Sequence, residues 1–213
     1  MTGNYYHIYN KVLDGKRPFE NPRILQKFKE ICWYYRSSKS KVRYADFIRS
    51  TDRRKIEIES IINEETSFRV IVLAYCIMPT HFHFLIQQKF DGGISMYTSQ
   101  IQNSFTRYFN SLKSRKGPLF IQHFQSRPIE SEADIKHVSR YIHLNPYSSG
   151  YVSHVVGALT YKGSSFHEFS NDGAFSNIIN KENILSFFKY DIERYRNFVI
   201  QNAEYQKALE RHD

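Results

Sequence analysis

Residues Tyr5 to Val12 are rich in aromatic and β-branched side chains and stop at Asp14-Gly15, which predicts a first strand closed by a turn. Asn21-Pro22 then opens a helix, with Asn at the cap and Pro at the first helical position. Behind it Ile24, Leu25, Phe28, Ile31, Cys32 and Tyr35 recur at helical spacing. From Arg36 to Arg54 the period is lost among Lys, Arg and Ser. That stretch reads as an exposed basic loop or insertion, followed by a short helix around Lys55 to Asn63. Phe68 to Met78 is the strongest strand signal in the chain. After Pro79-Thr80 the pattern resumes from His81 to Gln88, so the two runs predict an antiparallel hairpin.

Asp91-Gly92-Gly93 marks a turn, and Ile94, Tyr97, Ile101, Phe105, Tyr108 and Leu112 step by threes and fours along an amphipathic helix. A basic turn from Lys113 to Pro118 leads to a strand over Leu119 to Ile129 that returns to the sheet. Ser131 with Asp134 has the layout of a capping box, which starts a helix running to about Asn145, and Pro146 ends it. Beyond Gly150 the chain changes character. Tyr161 to Ala174 reads as a long loop; Ile184, Leu185, Phe188, Ile192, Tyr195 and Val199 mark a C-terminal helix; and a charged, fraying tail runs to Asp213. Strands alternating with helices around a central hairpin give an α+β class, an antiparallel sheet with helices packed on it. The expected division is one domain over residues 1–157 and a loop with a helical extension over 158–213.

Composition narrows the partner. Lys and Arg outnumber Asp and Glu by 30 to 21, a net charge of +9, so a polyanion is the expected partner and nucleic acid comes first. Aromatic residues make up 16% of the chain, enough both to fill a core and to stack on bases. The cysteines, Cys32 and Cys76, stand far apart, which excludes a CxxC zinc or redox pair and fits a reducing compartment. The first residues lack a signal-peptide pattern, and the longest apolar run, Val70 to Met78, is too short to span a bilayer. A cytoplasmic protein without membrane contact is expected. No phosphate-binding GxxxxGK[ST], GxGxxG or GxSxG pattern occurs.

Two short patterns can carry chemistry. In His81-Phe82-His83, strand geometry turns both imidazoles to one face, their Cα atoms about 6.6 Å apart, close enough to share one divalent ion. The same pattern also fits two inert histidines on a half-solvated face. On the helix after Ser131, Ile135, Val138 and Ile142 form the buried side, and Asp134, His137, Tyr141 and Asn145 form a polar stripe beside it. His143 points away from Tyr141. Alone, Tyr141 is equally a boundary tyrosine with a wet hydroxyl. Arg107, Lys113, Arg115 and Lys116, interleaved with Tyr108, Phe109 and Phe120, suit either phosphate contacts or a solvated helix end. Lys39, Lys41, Arg43, Arg49, Arg53, Arg54 and Lys55 are open to the same two readings.

Taken in order, three blocks resemble the IS200-like one-tyrosine transposases. Met78-Pro79-Thr80-His81-Phe82-His83-Phe84-Leu85-Ile86 is similar to their histidine–hydrophobe–histidine strand. Gly117-Pro118-Leu119-Phe120 resembles the segment between their two helices. Tyr141-Ile142-His143-Leu144-Asn145-Pro146 resembles the tyrosine helix of the branch associated with repetitive extragenic palindromes. The resemblance spans roughly Tyr5 to Ser165. It implies a ferredoxin-like (RRM-like) sheet, Tyr141 as nucleophile, and His81, His83 and Asn145 as ligands of Mg²⁺ or Mn²⁺. The implied reaction is nicking and rejoining of single-stranded or hairpin DNA through a 5′-phosphotyrosine, by a monomer or a homodimer that exchanges the tyrosine helix. Arg107, Lys113, Arg115, Lys116, Arg127 and Arg140 are the candidate DNA contacts. The Arg36 to Arg54 stretch is longer than the family pattern, and Gln125-Ser126-Arg127 is less basic. A non-catalytic RRM-like module that binds single strands is the alternative, and a metal-dependent hydrolase using water is a third reading.

Overall fold

A computed structural model describes residues 2–170 and 178–210. Four strands, β1 (Tyr5–Lys11), β2 (Val70–Met78), β3 (His81–Gln88) and β4 (Gln125–Ile129), form an antiparallel sheet in the order β2–β3–β1–β4. Between β1 and β2 lie α1 (Pro22–Tyr35), α2 (Tyr44–Arg49) and α3 (Asp52–Ile62); α4 (Gly93–Leu112) joins β3 to β4. With the β2–β3 hairpin at its centre, this is the ferredoxin-like β-α-β-β-α-β order expected from the sequence.

Register decides what each face of the sheet carries, because successive side chains alternate. Tyr9 pairs with His83 and Lys11 with His81, while His7 lies between Leu85 on β3 and Arg127 on β4. One face therefore presents His7, Tyr9, Lys11, His81, His83 and Arg127. The other presents Ile8, Phe82 and Phe84 to α1 and α4, where Phe82 packs 5.5 Å from Phe28 and Phe84 packs 6.2 Å from Tyr97. Each fully buried phenylalanine contributes roughly 2–3 kcal/mol of transfer free energy, so the helical layer fixes the sheet and with it the opposite face. Across that opposite face lies α5 (Glu132–Ser148), capped by Ser131, whose hydroxyl accepts from the Asp134 amide.

All nine residues of β2 are buried, although β2 ends the ladder. Its free edge is covered by the chain beyond α5. Ile77 N–H donates to the Gly163 carbonyl, Ser165 N–H to Tyr75, and Asn180 N–H to Val72. Lys29 of α1 and Glu168 form a buried ion pair at 2.9 Å, and the Tyr75 hydroxyl donates to Glu168. This covering segment contains α6 (Val155–Thr160), α7 (Phe166–Ser170), α8 (Glu182–Leu185), α9 (Ile192–Ile200) and α10 (Ala203–Glu210). An exposed strand edge invites pairing with another chain, and burying β2 in this way removes that hazard.

Several elements differ from the sequence expectation. The basic stretch Arg36 to Arg54 holds α2 and the start of α3: Tyr44 and Phe47 are buried, and Thr51 caps α3 by accepting from Arg54 N–H. A six-residue helix is too short to show a period. Of Leu119 to Ile129, only Gln125–Ile129 is strand; Leu119 and Phe120 sink into the core with a single bridge from Phe120 to Val12. Helix α5 runs through Pro146 to Ser148. A proline so close to the end removes one helical hydrogen bond. The Ser149 amide still donates to Asn145 and the Val152 amide to Pro146.

The expected C-terminal helix is broken at Lys189 and Tyr190, with φ of 56° and 59°, and Asp191 caps a new start for α9. The expected loop Tyr161 to Ala174 contains α7, and its residues 171–174 lie outside the described residues. Of the expected tail, 203–210 is the helix α10 and 211–213 lie outside the described residues. Among the described residues, no helix is long and apolar enough to cross a membrane.

Candidate active site

The turn at Pro79-Thr80 starts β3 so that His81 and His83 share the face under α5. Their rings meet edge to face with centroids 5.1 Å apart. Each ring is held through Nδ1: His81 by the Thr80 hydroxyl at 3.0 Å, His83 by Nε2 of His7 at 3.0 Å. On α5, buried Asn145 places its side-chain oxygen 3.4 Å from Nε2 of His81. One helical turn earlier, Tyr141 stands edge-on to His83 at 5.7 Å and to His7 at 5.8 Å. Spacing of i and i+4 puts Tyr141 and Asn145 on one stripe of the helix, which the register lays over the two histidines. From α10, the Gln206 amide donates to the Tyr141 carbonyl at 3.0 Å and to the Ser148 hydroxyl at 3.3 Å, bracing this part of the helix.

Burial sets the protonation of the group. It holds the His83 pKa well below the usual histidine range, helped by positive charge on His7, His81 and Lys11. Burial also lowers His81, partly offset by its contact with Asn145, and lowers His7 to about 4 with help from Arg127. At neutral pH these imidazoles are therefore uncharged, the form that coordinates metals. The Tyr141 hydroxyl is pushed up to about 12, chiefly by burial and then by the charge of Glu210, against a lowering hydrogen bond from Asn145.

The residues enclose a cleft of about 930 Å³, whose wall carries Lys11 and Arg127 as well as Glu130, Asp134 and Glu210. Two neutral imidazoles and an amide oxygen form a nitrogen and oxygen donor set that fits a divalent cation. In the tautomer in which His81 donates its Nδ1 proton to Thr80, Nε2 turns a lone pair towards the Asn145 oxygen, and a cation between them satisfies both. Among the described residues, no cluster of three or more His, Cys, Asp or Glu is arranged for a metal.

The structure thus brings His81, His83, Tyr141 and Asn145 together. Of the candidate DNA contacts, Arg127 alone lines this cleft. Arg140 lies over the Phe198 ring at 4.6 Å and bonds His137; of the expected stripe, His137 is turned out of the cleft while Asp134, Tyr141 and Asn145 line it. Arg115 closes the turn after α4, donating to Asn110 and to the Pro118 carbonyl, beside exposed Lys113 and Lys116. Arg107 lines a separate depression of about 390 Å³ with Lys27, Arg43 and Tyr108. Phe109 and Phe120 are core residues. In the basic stretch, Arg43 pairs with Asp46, Arg53 with Glu57 and Lys55 with Asp52.

His143 is fully buried between Ser165 and Tyr195, away from the cleft as its phase on the helix implied. The sequence reading passed over His7, Tyr9, Lys11, Thr80 and Glu210. The odd-numbered positions of β1 were the available signal for three of them, since they share the face of Tyr5 on a strand whose position 8 is apolar.

Comparison with known proteins bears on this arrangement. The family model described as "Transposase IS200 like" matches residues 38–145. A solved structure described as the "REP associates tyrosine transposase bound to a REP hairpin" superimposes with a TM-score of 0.53 at 15% identity, over 80% of this chain and 81% of that one. At that identity the likeness is one of fold. No curated protein matches.

Proposed function

Since the chain belongs to the IS200-like transposase family, we propose that it nicks and rejoins single-stranded or hairpin DNA through a covalent bond to Tyr141. The observation that carries this reading is the convergence of Tyr141 and Asn145, on one helix, with His81 and His83, on one strand. The hairpin in the structurally similar protein supports folded single strands as the substrate class.

Tyr141 attacks the scissile phosphorus through its hydroxyl oxygen. A bond forms from that oxygen to phosphorus and the bond to the 3′ oxygen breaks. The tyrosine proton is released, and the departing oxygen takes up a proton to become a 3′-hydroxyl. The DNA is left joined to the protein through its 5′ phosphate. The reverse attack by a 3′-hydroxyl rejoins a strand without ATP, because the phosphotyrosine conserves the bond energy. A hydroxyl with a pKa of about 12 is a poor nucleophile at neutral pH and needs help. His81, His83 and Asn145 would hold a divalent ion, Mg²⁺ or Mn²⁺, which would polarise the phosphate and stabilise its developing charge. Lys11 and Arg127 lie in the same cleft, where their cations suit the phosphates of a bound strand.

The test is cleavage of an end-labelled DNA hairpin with a single-stranded flank, in Mn²⁺ or Mg²⁺ and in EDTA. A metal-dependent cut leaving a free 3′-hydroxyl and a protein-blocked 5′ end is expected. Binding of the hairpin without any cutting would overturn the reading in favour of a binding module.

A further inference from the structure

His7 was no part of the sequence motifs, yet it makes the one hydrogen bond found for the His83 ring among the described residues, Nε2 to Nδ1 at 3.0 Å. Both rings are buried, and the contact joins two neighbouring strands with the ring planes 23° apart. Between two neutral imidazoles the proton has two arrangements. If His7 donates from Nε2, the proton of His83 sits on its own Nε2 and closes that nitrogen to a cation. If His83 donates from Nδ1, its Nε2 carries a lone pair and is open. A metal site that uses His83 requires the second arrangement. The nitrogen of His7 that touches His83 is then an acceptor already in use, in keeping with the absence of a three-histidine cluster among the described residues.

Thr80 stands in the same relation to His81, engaging Nδ1 at 3.0 Å. His7 is itself fixed: its backbone pairs on both sides, with Leu85 and Arg127, and its ring packs 5.2 Å from Tyr9 and 5.8 Å from Tyr141. We propose that His7 is a positioning residue that accepts the Nδ1 proton of His83 and so holds Nε2 of His83 open for a divalent cation. The inference rests on the metal reading above and adds to it a residue that acts through His83 and is not itself a ligand. Groups that orient a metal-bound histidine in this way are worth about 10- to 100-fold in metal affinity.

Mn²⁺ binding to the full chain without DNA, followed by the electron paramagnetic resonance signal of free Mn²⁺, tests it. His7→Phe keeps a ring of similar bulk and loses the acceptor; His7→Gln offers an amide oxygen near the position of Nε2. Affinity is expected to fall by about 10- to 100-fold in His7→Phe and to recover most of that loss in His7→Gln. His81→Ala is expected to abolish binding. In Mg²⁺, ¹⁵N spectra of the histidines are expected to show His83 protonated at Nδ1. Wild-type affinity in His7→Phe, a His7→Gln variant as weak as His7→Phe, or His83 protonated at Nε2 with metal bound would overturn the role of His7 alone. A wild-type chain without His81-dependent Mn²⁺ binding would overturn the metal reading and this inference with it.

Discussion

A single buried histidine shows how far burial governs chemistry in this chain. His143 is fully enclosed, bonded to Ser165 at 2.8 Å and Tyr195 at 2.7 Å, and burial lowers its pKa from 6.5 to about 3. The unfolded chain binds that proton more readily than the folded one between those values. Its contribution to stability is therefore complete above about pH 6.5 and is lost as pH falls towards 3, on the order of 5 kcal/mol across the window. Melting temperature is expected to drop steadily from pH 7 to pH 4, and a His143→Gln variant, weaker at pH 7, is expected to drop less. Equal slopes for the two would contradict it. At this scale the sequence was half legible. The strand period placed His81 and His83 side by side, and the helix period separated Tyr141 from His143. His7 was not legible, because its partner is 76 residues away and only the register of β1 against β3 brings them together.

Elements were legible where they are long and periodic. Helix α4 and the β2–β3 hairpin matched the pattern to within a residue or two, and Ser131 capped α5 as its spacing with Asp134 required. Ser131→Ala is expected to cost about 1 kcal/mol by calorimetry or chemical denaturation. DNA cleavage is expected to survive, since Tyr141 lies almost three turns downstream and is braced by Gln206. Loss of cleavage with the fold intact would mean that the first turn of α5 takes part in the site. Local rules failed where tertiary burial overrode them. Pro146 did not stop α5 because its side chain is buried and the chain beyond it is held by hydrogen bonds to Asn145 and Pro146. Tyr44 and Phe47 turned a charged, aperiodic stretch into a packed helix.

For the whole molecule, an antiparallel sheet with helices packed on it was readable from the order of strands and helices, and its ferredoxin-like form from the family resemblance, whereas the covering of β2 was not. Nothing local in Gly163 to Ser165 marks it as the segment that bonds Tyr75 and Ile77. A Cβ on Gly163 would collide with the Ile77 carbonyl and the Tyr161 ring, so Gly163→Ala is expected to destabilise by roughly 1–3 kcal/mol in a denaturant titration. A chain cut after residue 157 would expose the edge of β2 and strip His143 of both partners, and is expected to aggregate or to lack a cooperative unfolding transition. A truncated chain that unfolds as sharply as the full one would show the extension to be dispensable.

The central claim is that this assembled cleft does covalent chemistry at one named oxygen. It is tested most directly by incubating the full chain and its Tyr141→Phe variant with single-stranded palindromic DNA and Mn²⁺, then locating any protein–DNA adduct by mass spectrometry. A 5′-phosphate adduct on Tyr141 in the wild type, absent from the variant together with cleavage, is the expected result. Cleavage that persists in Tyr141→Phe, or an adduct on any other residue, would contradict the account.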